Sequence, residues 1–464
     1  MNTDATYLKQ FCESHPACII KENKETLFLV VMSPITQAVI EQLTFTCQKK
    51  INIDIVPETK FIEHCQVRSP ALFHAQAVSE DAPSIIESCQ AILSQAIQQK
   101  ASDIHIEPHA TGAKIRFRID GVLHRHGEIT SKETSAIESR FKLLAGVDIA
   151  ENRRPQDGQL TFDYHDAEYS FRLATLPTRF GEKVVLRLLE TFRGELLLEN
   201  LGLPPQQLSM IKEALDHPQG LIIVTGPTGS GKTTTLYSAL TYLNRPERNL
   251  CSVEDPIELV IAGINQTQIN IKAGLDFPTI LRALLRQDPD ILMIGEIRDN
   301  QTAEMAIKAA QTGHLVLSTL HTNSTVETLS RLTQMGIAEY LIAGSVKLII
   351  AQRLVRRLCA HCRALAPQPL SLGPPLTPCK HWFATGCQQC ISGYIGRHAL
   401  FELLPIDSAI QNTIIDHRRT QKIRYLLQER KIQSLYEAGL SAVAQGITSY
   451  QELLRVIGKN DAAT

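Results

Sequence analysis

An apolar segment, a glycine-rich loop and a helical segment follow one another in this chain and constrain its fold more than any other feature. Residues 221–225 read LIIVT, residues 226–233 read GPTGSGKT, and a helical pattern continues over 234–240. The loop fits GxxxxGK[ST], in which glycines let backbone N–H groups approach phosphate oxygens without steric conflict. A helix that begins at the loop adds the positive end of its dipole. The sequence therefore predicts a strand, a phosphate-binding loop and a helix of an α/β domain.

Each residue of this loop is a candidate phosphate ligand. Lys232 supplies a positive charge to the β- and γ-phosphates of a nucleotide, and the hydroxyl of Thr233 suits Mg²⁺. The eight candidates are Gly226, Pro227, Thr228, Gly229, Ser230, Gly231, Lys232 and Thr233. Because strand and helix patterns flank the loop on the correct sides, the sequence favours a site for ATP and Mg²⁺ over a glycine-rich turn with a solvated lysine.

A second apolar run ends in a carboxylate. Residues 290–296 read DILMIGE, which predicts a buried strand followed by Glu296. The carboxyl ends of parallel strands meet at the edge of a sheet where ligands bind, so Glu296 is a candidate to orient or deprotonate a water molecule. An exposed glutamate at the end of a strand is the alternative.

Three acidic residues follow another predicted strand, at 250–253. Glu254, Asp255 and Glu258 surround Pro256 in the sequence. Carboxylates in this position could hold Mg²⁺ through water or position a water molecule. A solvated turn at the proline is the alternative interpretation.

Two histidines flank the strand predicted at 315–319. His314 precedes it and His321 follows it. In a nucleotide-binding domain such residues could sense the γ-phosphate, whereas a lone histidine more often serves the structure. The residues themselves leave both interpretations open.

Apolar patterns divide the 464 residues into several domains. At about 100–200 residues per domain, this length predicts roughly three. Alternating strand and helix patterns over 204–350 indicate a parallel sheet with crossover helices, whereas 83–192 reads as one helix and several short alternating strands. The full division is a small N-terminal α/β docking module at 1–66, a linker at 67–82, an α+β domain at 83–192, an α/β domain at 204–350, a tetracysteine element at 351–400 and a helical region at 401–464.

Composition and charge exclude several classes of protein. The hydrophobic fraction of 44% is that of a globular chain and excludes a wholly disordered one. The net charge of −1 argues against direct nucleic-acid binding. The N-terminus lacks an apolar signal core and no stretch approaches about 18 apolar residues, so we expect a cytoplasmic protein with only peripheral membrane contact. The basic run at 353–357 is interpreted as a solvated face rather than a contact with anionic lipid or with a protein partner.

Four of the eleven cysteines form two CxxC pairs, Cys359 with Cys362 and Cys387 with Cys390. Four thiolates in two such pairs are typical of a tetrahedral structural Zn²⁺ site, which has no open position for catalysis. His361 and Cys379 are substitute ligands, and four unliganded thiols are the alternative. The remaining cysteines are scattered, which does not suit a disulfide framework.

Together these motifs resemble those of the ATPases of type II secretion and type IV pilus assembly. The resemblance covers about residues 80–464. Its further motifs, in the order of the family, are ASDIHIEP at 101–108, RIDG at 118–121, PQDG at 155–158, GEK at 181–183, VEDPIE at 253–258, LLRQDPD at 284–290, GEIRD at 295–299 and TGHLVLSTLHTN at 312–323.

The resemblance implies a RecA-like ATPase domain preceded by the α+β domain. Residues 226–233 match the Walker A motif and 290–296 the Walker B motif. The aspartate box of the family falls near Glu254, and its histidine box on residues 314–321. The carboxylates and the histidine that match catalytic positions are Glu254, Glu258, Glu296 and His321.

The resemblance also assigns roles to arginines. Arg172 and Arg187 match arginines that approach the phosphates from the α+β domain, whereas Arg282, Arg286 and Arg298 match other arginines of importance in the family. A planar guanidinium stabilises the charge on phosphoryl oxygens, which explains why the family uses this residue type.

The function that the resemblance implies is that of a homohexamer. It would hydrolyse ATP to assemble a type IV pilus or a type II secretion pseudopilus at the cytoplasmic face of the inner membrane, acting on a membrane platform protein. The tetracysteine element favours assembly over retraction, because the retraction ATPases of the family generally lack it. A DNA-uptake pilus motor and a regulatory subunit with weak hydrolysis are the alternatives; intact Lys232, Thr233 and Glu296 argue against the second.

Overall fold

The computed structural model describes residues 17–22, 26–31, 44, 50–56, 85–189, 196–371, 379–416 and 419–458. The chain divides into two compact units, residues 1–82 and 83–464. The linker predicted at 67–82 lies outside the described residues.

The first unit contains a three-stranded sheet. Its strands are β1 Ala17–Glu22, β2 Thr26–Val31 and β3 Lys50–Ile55, with β1 antiparallel and β3 parallel to β2. Apolar, β-branched residues suit these positions, and Leu27 and Val31 are buried. Residues 27–31 and 51–55, whose apolar patterns are typical of strands, lie within β2 and β3, whereas the docking role of this module stays a prediction.

A six-stranded antiparallel sheet with two helices, here called the α+β domain, begins the second unit. Its strands pair in the order β6-β5-β4-β9-β8-β7, and helices α1 and α2 pack against one face. The alternating segments predicted to be strands all lie within these strands, because each buries one side of the pleat against the helices. The elements are α1 Ile85–Gln98, β4 Ala101–His109, β5 Gly112–Ile119, β6 Val122–Thr130, α2 Ser131–Leu144, β7 Gln156–Tyr164, β8 Ala167–Thr178 and β9 Gly181–Leu189.

The other face of this sheet carries charged side chains. Residues directly opposite in antiparallel strands point to the same side. Arg118, Asp103, Arg187 and Arg172 are successive partners across β5, β4, β9 and β8. Lys114 and Glu107 form a parallel row, in which Lys183 pairs with Glu107. The sheet therefore has one apolar face and one charged face.

A seven-stranded sheet, here called the parallel-sheet domain, follows in the chain. Its strands pair in the order β12-β11-β13-β14-β10-β15-β18, all parallel except the last, which is antiparallel to β15. The strands are β10 Gly220–Thr225, β11 Leu250–Glu254, β12 Asn265–Gln268, β13 Ile291–Ile294, β14 Leu315–Leu320, β15 Val346–Leu358 and β18 Tyr394–Pro405.

Helices cover both faces of this sheet, which explains why its central strands are buried throughout. Helices α3 and α4 pack on one face, and α5 to α8 on the other. The helices are α3 Pro205–Leu215, α4 Lys232–Leu243, α5 Phe277–Leu284, α6 Asn300–Gln311, α7 Thr325–Gln334 and α8 Glu339–Ser345, with short 3₁₀ turns at Leu198–Leu201 and Ile271–Ala273. The four strands predicted from apolar runs, at 221–225, 250–253, 291–294 and 315–319, are confirmed.

Two strands of this sheet run across domain boundaries that the sequence predicts, at residues 350 and 400. Strand β15 runs through residue 350, and β18 runs through residue 400, so neither belongs to a separate cysteine element. The prediction that residues 401–464 are helical is wrong for 401–405, because these residues pair with β15 in the core. Polar residues within β15 concealed its continuity with the sheet.

Helices complete the described part of the chain after β18. They are α9 Ser408–Ile415, α10 Arg419–Glu429, α11 Leu435–Ala444 and α12 Tyr450–Ile457. The short strands β16 Ala364–Leu365 and β17 Trp382–Phe383 pair between the two cysteine pairs. Among the residues described, no helix combines the length and the apolar character needed to cross a bilayer.

The α+β domain buries a cluster of two carboxylates and one amine. The Lys142 amine donates to Glu182 at 2.8 Å and to Asn152 Oδ1 at 2.9 Å. Glu138 is also buried, and neither its Oε1 nor that of Glu182 has a hydrogen-bond partner among the described residues. Burial, together with the charge of Glu182, raises the pKa of Glu138 to about 7, although Lys142 opposes the shift. One amine thus serves two buried carboxylates.

We expect Glu138→Gln to stabilise the protein more at pH 8 than at pH 5. Because the folded-state pKa is raised, the ionised carboxylate is disfavoured in the fold, and the stability of the wild type falls as pH rises from the ordinary value toward 7. The gain should be larger by about 2 kcal/mol at pH 8, seen as a higher midpoint of thermal unfolding. Glu168→Gln, at an exposed position of the same domain, is the control. An equal gain at both pH values would contradict the expectation.

Candidate active site and metal cluster

The phosphate loop adopts a backbone that requires glycine. Gly231 caps the N-terminus of α4 at φ 88°, a left-handed conformation that side chains disfavour. A Cβ there would lie 2.8 Å from Gln352 Nε2, and one at Gly226 would lie 2.5 Å from the Gln352 carbonyl oxygen. The loop can therefore pack against the neighbouring strand β15 only because these two positions lack side chains.

Lys232 lies within the curve of the loop. Its amine donates to the carbonyl oxygens of Gly226 at 2.9 Å and Pro227 at 3.0 Å. Burial lowers the pKa of Lys232 to about 8; the carboxylate of Glu296 opposes this shift and the guanidinium of Arg353 adds to it. The amine is thus held where phosphate oxygens would meet it.

Two further features fit a bound nucleotide. The Ser230 hydroxyl is buried, and the described residues offer it no hydrogen-bond partner. Thr233 lies exposed in the first turn of α4, where a hydroxyl can reach a metal ion beside the phosphates. A buried unsatisfied hydroxyl is unfavourable, and a phosphate oxygen in the loop would satisfy it. The loop therefore fits a triphosphate with Mg²⁺.

Glu296 lies at the carboxyl edge of the sheet, directly after β13. Its carboxylate is within 3.3 Å of His321 Nε2 and forms an ion pair with Arg298, which also lies 3.6 Å from Asp255. The side chain is only 16% exposed. A half-enclosed carboxylate beside the phosphate loop is suited to orient or deprotonate a water molecule.

The two histidines of the 314–321 segment lie at opposite ends of β14. His314 precedes the strand, and its Nδ1 is 3.0 Å from the Ala309 carbonyl oxygen. A strand of six residues is about 20 Å long, so only His321 is near Glu296. The structure brings His321, and not His314, to the candidate active site.

Glu254 is buried and fully engaged by side chains of the fold. Its carboxylate accepts hydrogen bonds from Tyr237 at 2.5 Å, Ser252 at 2.6 Å and Gln266 at 3.0 Å. Burial and the bond to Glu254 raise the pKa of Tyr237. The interpretation of a solvated turn therefore does not describe Glu254, which holds neighbouring elements together.

The rest of the acidic cluster is exposed. The Tyr237 hydroxyl accepts from the backbone N–H of Glu258 at 3.2 Å, which ties this loop to α4. The side chain of Glu258 is exposed, as is that of Asp255, whose partner is Arg298. The loop thus lies beside the site, with Glu254 as its internal anchor.

Sequence reasoning missed two residues of β15 that complete the loop surroundings. The Oε1 of Gln352 accepts from Thr235 Oγ1 at 2.7 Å, and buried Arg353 donates to the Asn323 carbonyl oxygen at 2.9 Å. Arg356, farther along, pairs with buried Glu452 at 2.8 Å. The interpretation of 353–357 as a solvated face is therefore wrong for these arginines. One signal in the sequence could have revealed these residues: they are polar positions within a run that is otherwise typical of a buried strand.

The two arginines of the α+β domain lie side by side on its charged face. Arg172 is directly opposite Arg187 and pairs with Asp157 at 3.2 Å. Arg187 Nε donates to Asp103 at 2.9 Å. Both arginine side chains are more than half exposed. The two guanidinium groups therefore lie on one exposed face of the sheet, each beside an aspartate.

The other two arginines matched to the family follow β12 in the chain, on and just after helix α5. Arg282 is on α5, 3.5 Å from Thr279 Oγ1, and Arg286 is exposed just after this helix. These contacts assign neither residue a chemical role.

The four cysteines of the two CxxC pairs converge. Their sulfur atoms all lie within 4.8 Å of one another. Cys359 and Cys387 are 3.9 Å apart, Cys362 and Cys390 3.7 Å, and Cys387 and Cys390 3.6 Å. A tetrahedral Zn²⁺ with sulfur bonds of about 2.3 Å places its sulfurs roughly 3.8 Å apart. The arrangement therefore fits a metal ion of that size.

The two substitute ligands do not join the cluster. Among the described residues, the group that could hold the ion consists of the four cysteines alone. His361 is exposed, and Cys379 pairs through its backbone with Leu370 at 2.8 and 3.1 Å.

Comparison with known proteins identifies the family. A family model described as "Type II/IV secretion system protein" matches residues 78–455. The "Protein transport protein HofB homolog" of Escherichia coli (strain K12) is 47% identical over 453 residues, which are 97% of this chain and 98% of that protein. The "Type IV pilus assembly ATPase PilB" of Pseudomonas aeruginosa is 43% identical over 390 residues, covering 82% of this chain and 69% of that protein.

A solved structure supports the fold. The crystal structure of the pilus retraction motor PilT with bound ADP matches with a TM-score of 0.54 and 28% identity, over 79% of this chain and 96% of that one. The family match covers well over half of the chain, and the relatives are similar over most of their length. The chain therefore belongs to the type II/IV secretion system protein family, and it is one of the ATPases of type II secretion and type IV pilus assembly.

Proposed function

We propose that this ATPase forms a ring of six at the cytoplasmic face of the inner membrane. There it drives assembly of a type IV pilus or a type II secretion pseudopilus through a membrane platform protein. The observation that carries the proposal is that Lys232, in the phosphate loop after β10, and Glu296, just after β13, lie close enough at one edge of the parallel sheet for the Glu296 charge to act on the Lys232 amine. The names of the two relatives, a pilus assembly ATPase and a protein transport protein, support the choice of machine.

The phosphate loop would bind ATP as follows. The backbone N–H groups of 226–233 and the Ser230 hydroxyl take the phosphate oxygens, and the Lys232 amine moves from the loop carbonyls to the β- and γ-phosphates. The Thr233 hydroxyl would hold Mg²⁺, which neutralises phosphate charge when bound.

Glu296 would accept a proton from the attacking water or align it with the γ-phosphate. His321, at 3.3 Å, holds one carboxylate oxygen, and Arg298 holds the other. Glu254 would act through Tyr237, as a positioning residue, and Glu258, whose backbone N–H donates to the same hydroxyl, would contact the water around Mg²⁺. This assignment separates one catalytic carboxylate from its supporting groups.

Arg172 and Arg187 would supply positive charge to the γ-phosphate from the α+β domain. Their partners, Asp157 and Asp103, hold them on one exposed face of the sheet. Closure of this face on the phosphate loop would complete the site, so nucleotide binding would be coupled to domain movement.

We expect Glu296→Gln to lower kcat for ATP hydrolysis by about 100-fold or more while ATP binding is retained, because the amide cannot accept a proton. The measurement is phosphate release by the purified protein, with ATP affinity measured separately. Glu304→Gln, at an exposed position on α6, is the control and should be neutral. An unchanged rate in Glu296→Gln would sink the assignment. ATP binding without hydrolysis by the wild type would favour a regulatory subunit.

ATP affinity should weaken as pH rises above about 8. Only the protonated Lys232 amine attracts phosphate, and its pKa of about 8 would be raised by bound phosphate. Binding therefore takes up a proton above that pH, and the dissociation constant should grow up to about tenfold per pH unit. Titration calorimetry in buffers of different ionisation enthalpy measures the uptake. Lys232→Arg, which stays charged, should flatten the profile; a flat profile in the wild type would contradict the expectation.

We also propose that the tetracysteine cluster binds one structural Zn²⁺ per chain. Elemental analysis of the purified protein should find about one zinc, and Co²⁺ substitution should give the spectrum of a tetrahedral thiolate site. Cys387→Ser combined with Cys390→Ser should lose the metal, and Cys379→Ser should keep it. A metal-free wild type purified without chelator would refute the proposal.

A further inference from the structure

The turn between β5 and β6 of the α+β domain contacts the start of β18. The Gly396 N–H donates to Asp120 Oδ2 at 2.8 Å, and Arg397 Nε lies 3.7 Å from Asp120 Oδ1. Asp120 is in the left-handed region at φ 48°, and its side chain is largely covered. A carboxylate in a tight turn thus bonds to a strand that lies 276 residues later in the chain.

A second contact lies a few residues earlier, beside the cysteine cluster. Ile391, the residue after Cys390, packs against the apolar core of the α+β domain. His124 of β6 supports the same proximity, because burial, and then the charge of Arg356 on β15, lower its pKa. Two independent points of the segment 387–397 therefore face the α+β domain.

This segment makes hydrogen bonds and a cation–π contact to residues of the cysteine cluster and of the parallel-sheet domain. Cys359 N donates to the Gly393 carbonyl oxygen at 2.9 Å, and Ile391 and Tyr394 exchange backbone hydrogen bonds at 3.0 and 3.1 Å. The Arg356 guanidinium lies over the Tyr394 ring, with its central carbon 4.0 Å from the centroid of the ring. We call residues 387–397 the bracing hairpin.

We propose that the bracing hairpin holds the α+β domain against the parallel-sheet domain of the same chain in the arrangement that precedes closure, with Asp120 as its positioning residue. Two of the four cysteines lie within the hairpin, so a metal in the cluster would stiffen the segment that makes both contacts. Strand β5, which ends at the Asp120 turn, is in the same sheet as the strands that carry Arg172 and Arg187. The hairpin therefore sets where these arginines lie relative to the phosphate loop before closure. This last consequence rests on the proposed function; the brace itself does not.

Hydrogen exchange of the full-length protein tests the brace directly. Asp120→Gly removes the carboxylate yet tolerates the left-handed backbone, and Asp120→Asn keeps an oxygen for the Gly396 N–H. In Asp120→Gly, exchange over 115–124 and 391–397 should rise about tenfold, with 220–240 unchanged. Asp120→Asn should stay close to the wild type. Asp163→Ala, at an exposed aspartate of the same sheet, is the control. Unchanged exchange in Asp120→Gly would overturn the proposal.

Removal of the metal provides a second test of the brace, again measured by hydrogen exchange and not by activity. Cys390→Ser should raise exchange over 115–124, a segment without any cysteine, because the hairpin loosens. If hydrogen exchange over 115–124 stays as slow as in the wild type after the metal is lost, the cluster does not support the brace.

Kinetics separates positioning from general stability. Asp120→Gly should lower kcat several-fold and leave KM for ATP and the zinc content unchanged, and Asp120→Asn should restore most of kcat. A rise in KM together with metal loss would indicate general unfolding and contradict the proposal. If the wild type hydrolyses no ATP, the proposed function fails, whereas the exchange data still decide the brace.

Discussion

The close approach of strand β15 to the phosphate loop is the constraint on which the rest of the structure depends. Gly226 and Gly231 lack a Cβ at the two points where Gln352 comes nearest. This approach places Arg353 behind the loop and joins β10 to β15 in one sheet. Because β15 pairs next with β18, the cysteine cluster and the bracing hairpin follow from the same strand. The phosphate site and the metal site therefore share one structural element.

Charge at the carboxyl edge of the sheet is balanced by alternating groups. Lys232 lies near both Glu296 and Arg353, and Glu296 also pairs with Arg298. Glu296 is the opposite charge for both Lys232 and Arg298, and Arg353 donates instead to the Asn323 carbonyl oxygen, so each can be partly buried at a tolerable cost in desolvation. Anionic phosphates entering the loop would change the balance around Lys232 first. The arrangement explains how a buried amine can be kept ready for an anion.

Most of the structure that could be predicted from the sequence was predicted from local residue patterns. The phosphate loop, the four apolar strands of the parallel sheet and the alternating strands of the α+β domain were legible because their residues interact mainly through local geometry and burial. Strand β15 was not, since Gln352 and Arg353 look solvated until their partners on other elements are known. The pattern likewise predicted Glu254 only as a member of an acidic cluster, either near Mg²⁺ or in a solvated turn, and gave no sign that Tyr237 and Gln266 enclose it.

The sequence by itself determined the chemistry of the loop, the carboxylate at Glu296 and the two cysteine pairs, because motif spacing places these groups without knowledge of the whole fold. Only the tertiary structure decided that His321 and not His314 meets Glu296, since the two ends of one strand are far apart. It also decided that Asp120 bonds to Gly396. Contacts between residues distant in the chain depend on how sheets and domains pack, which no local pattern records.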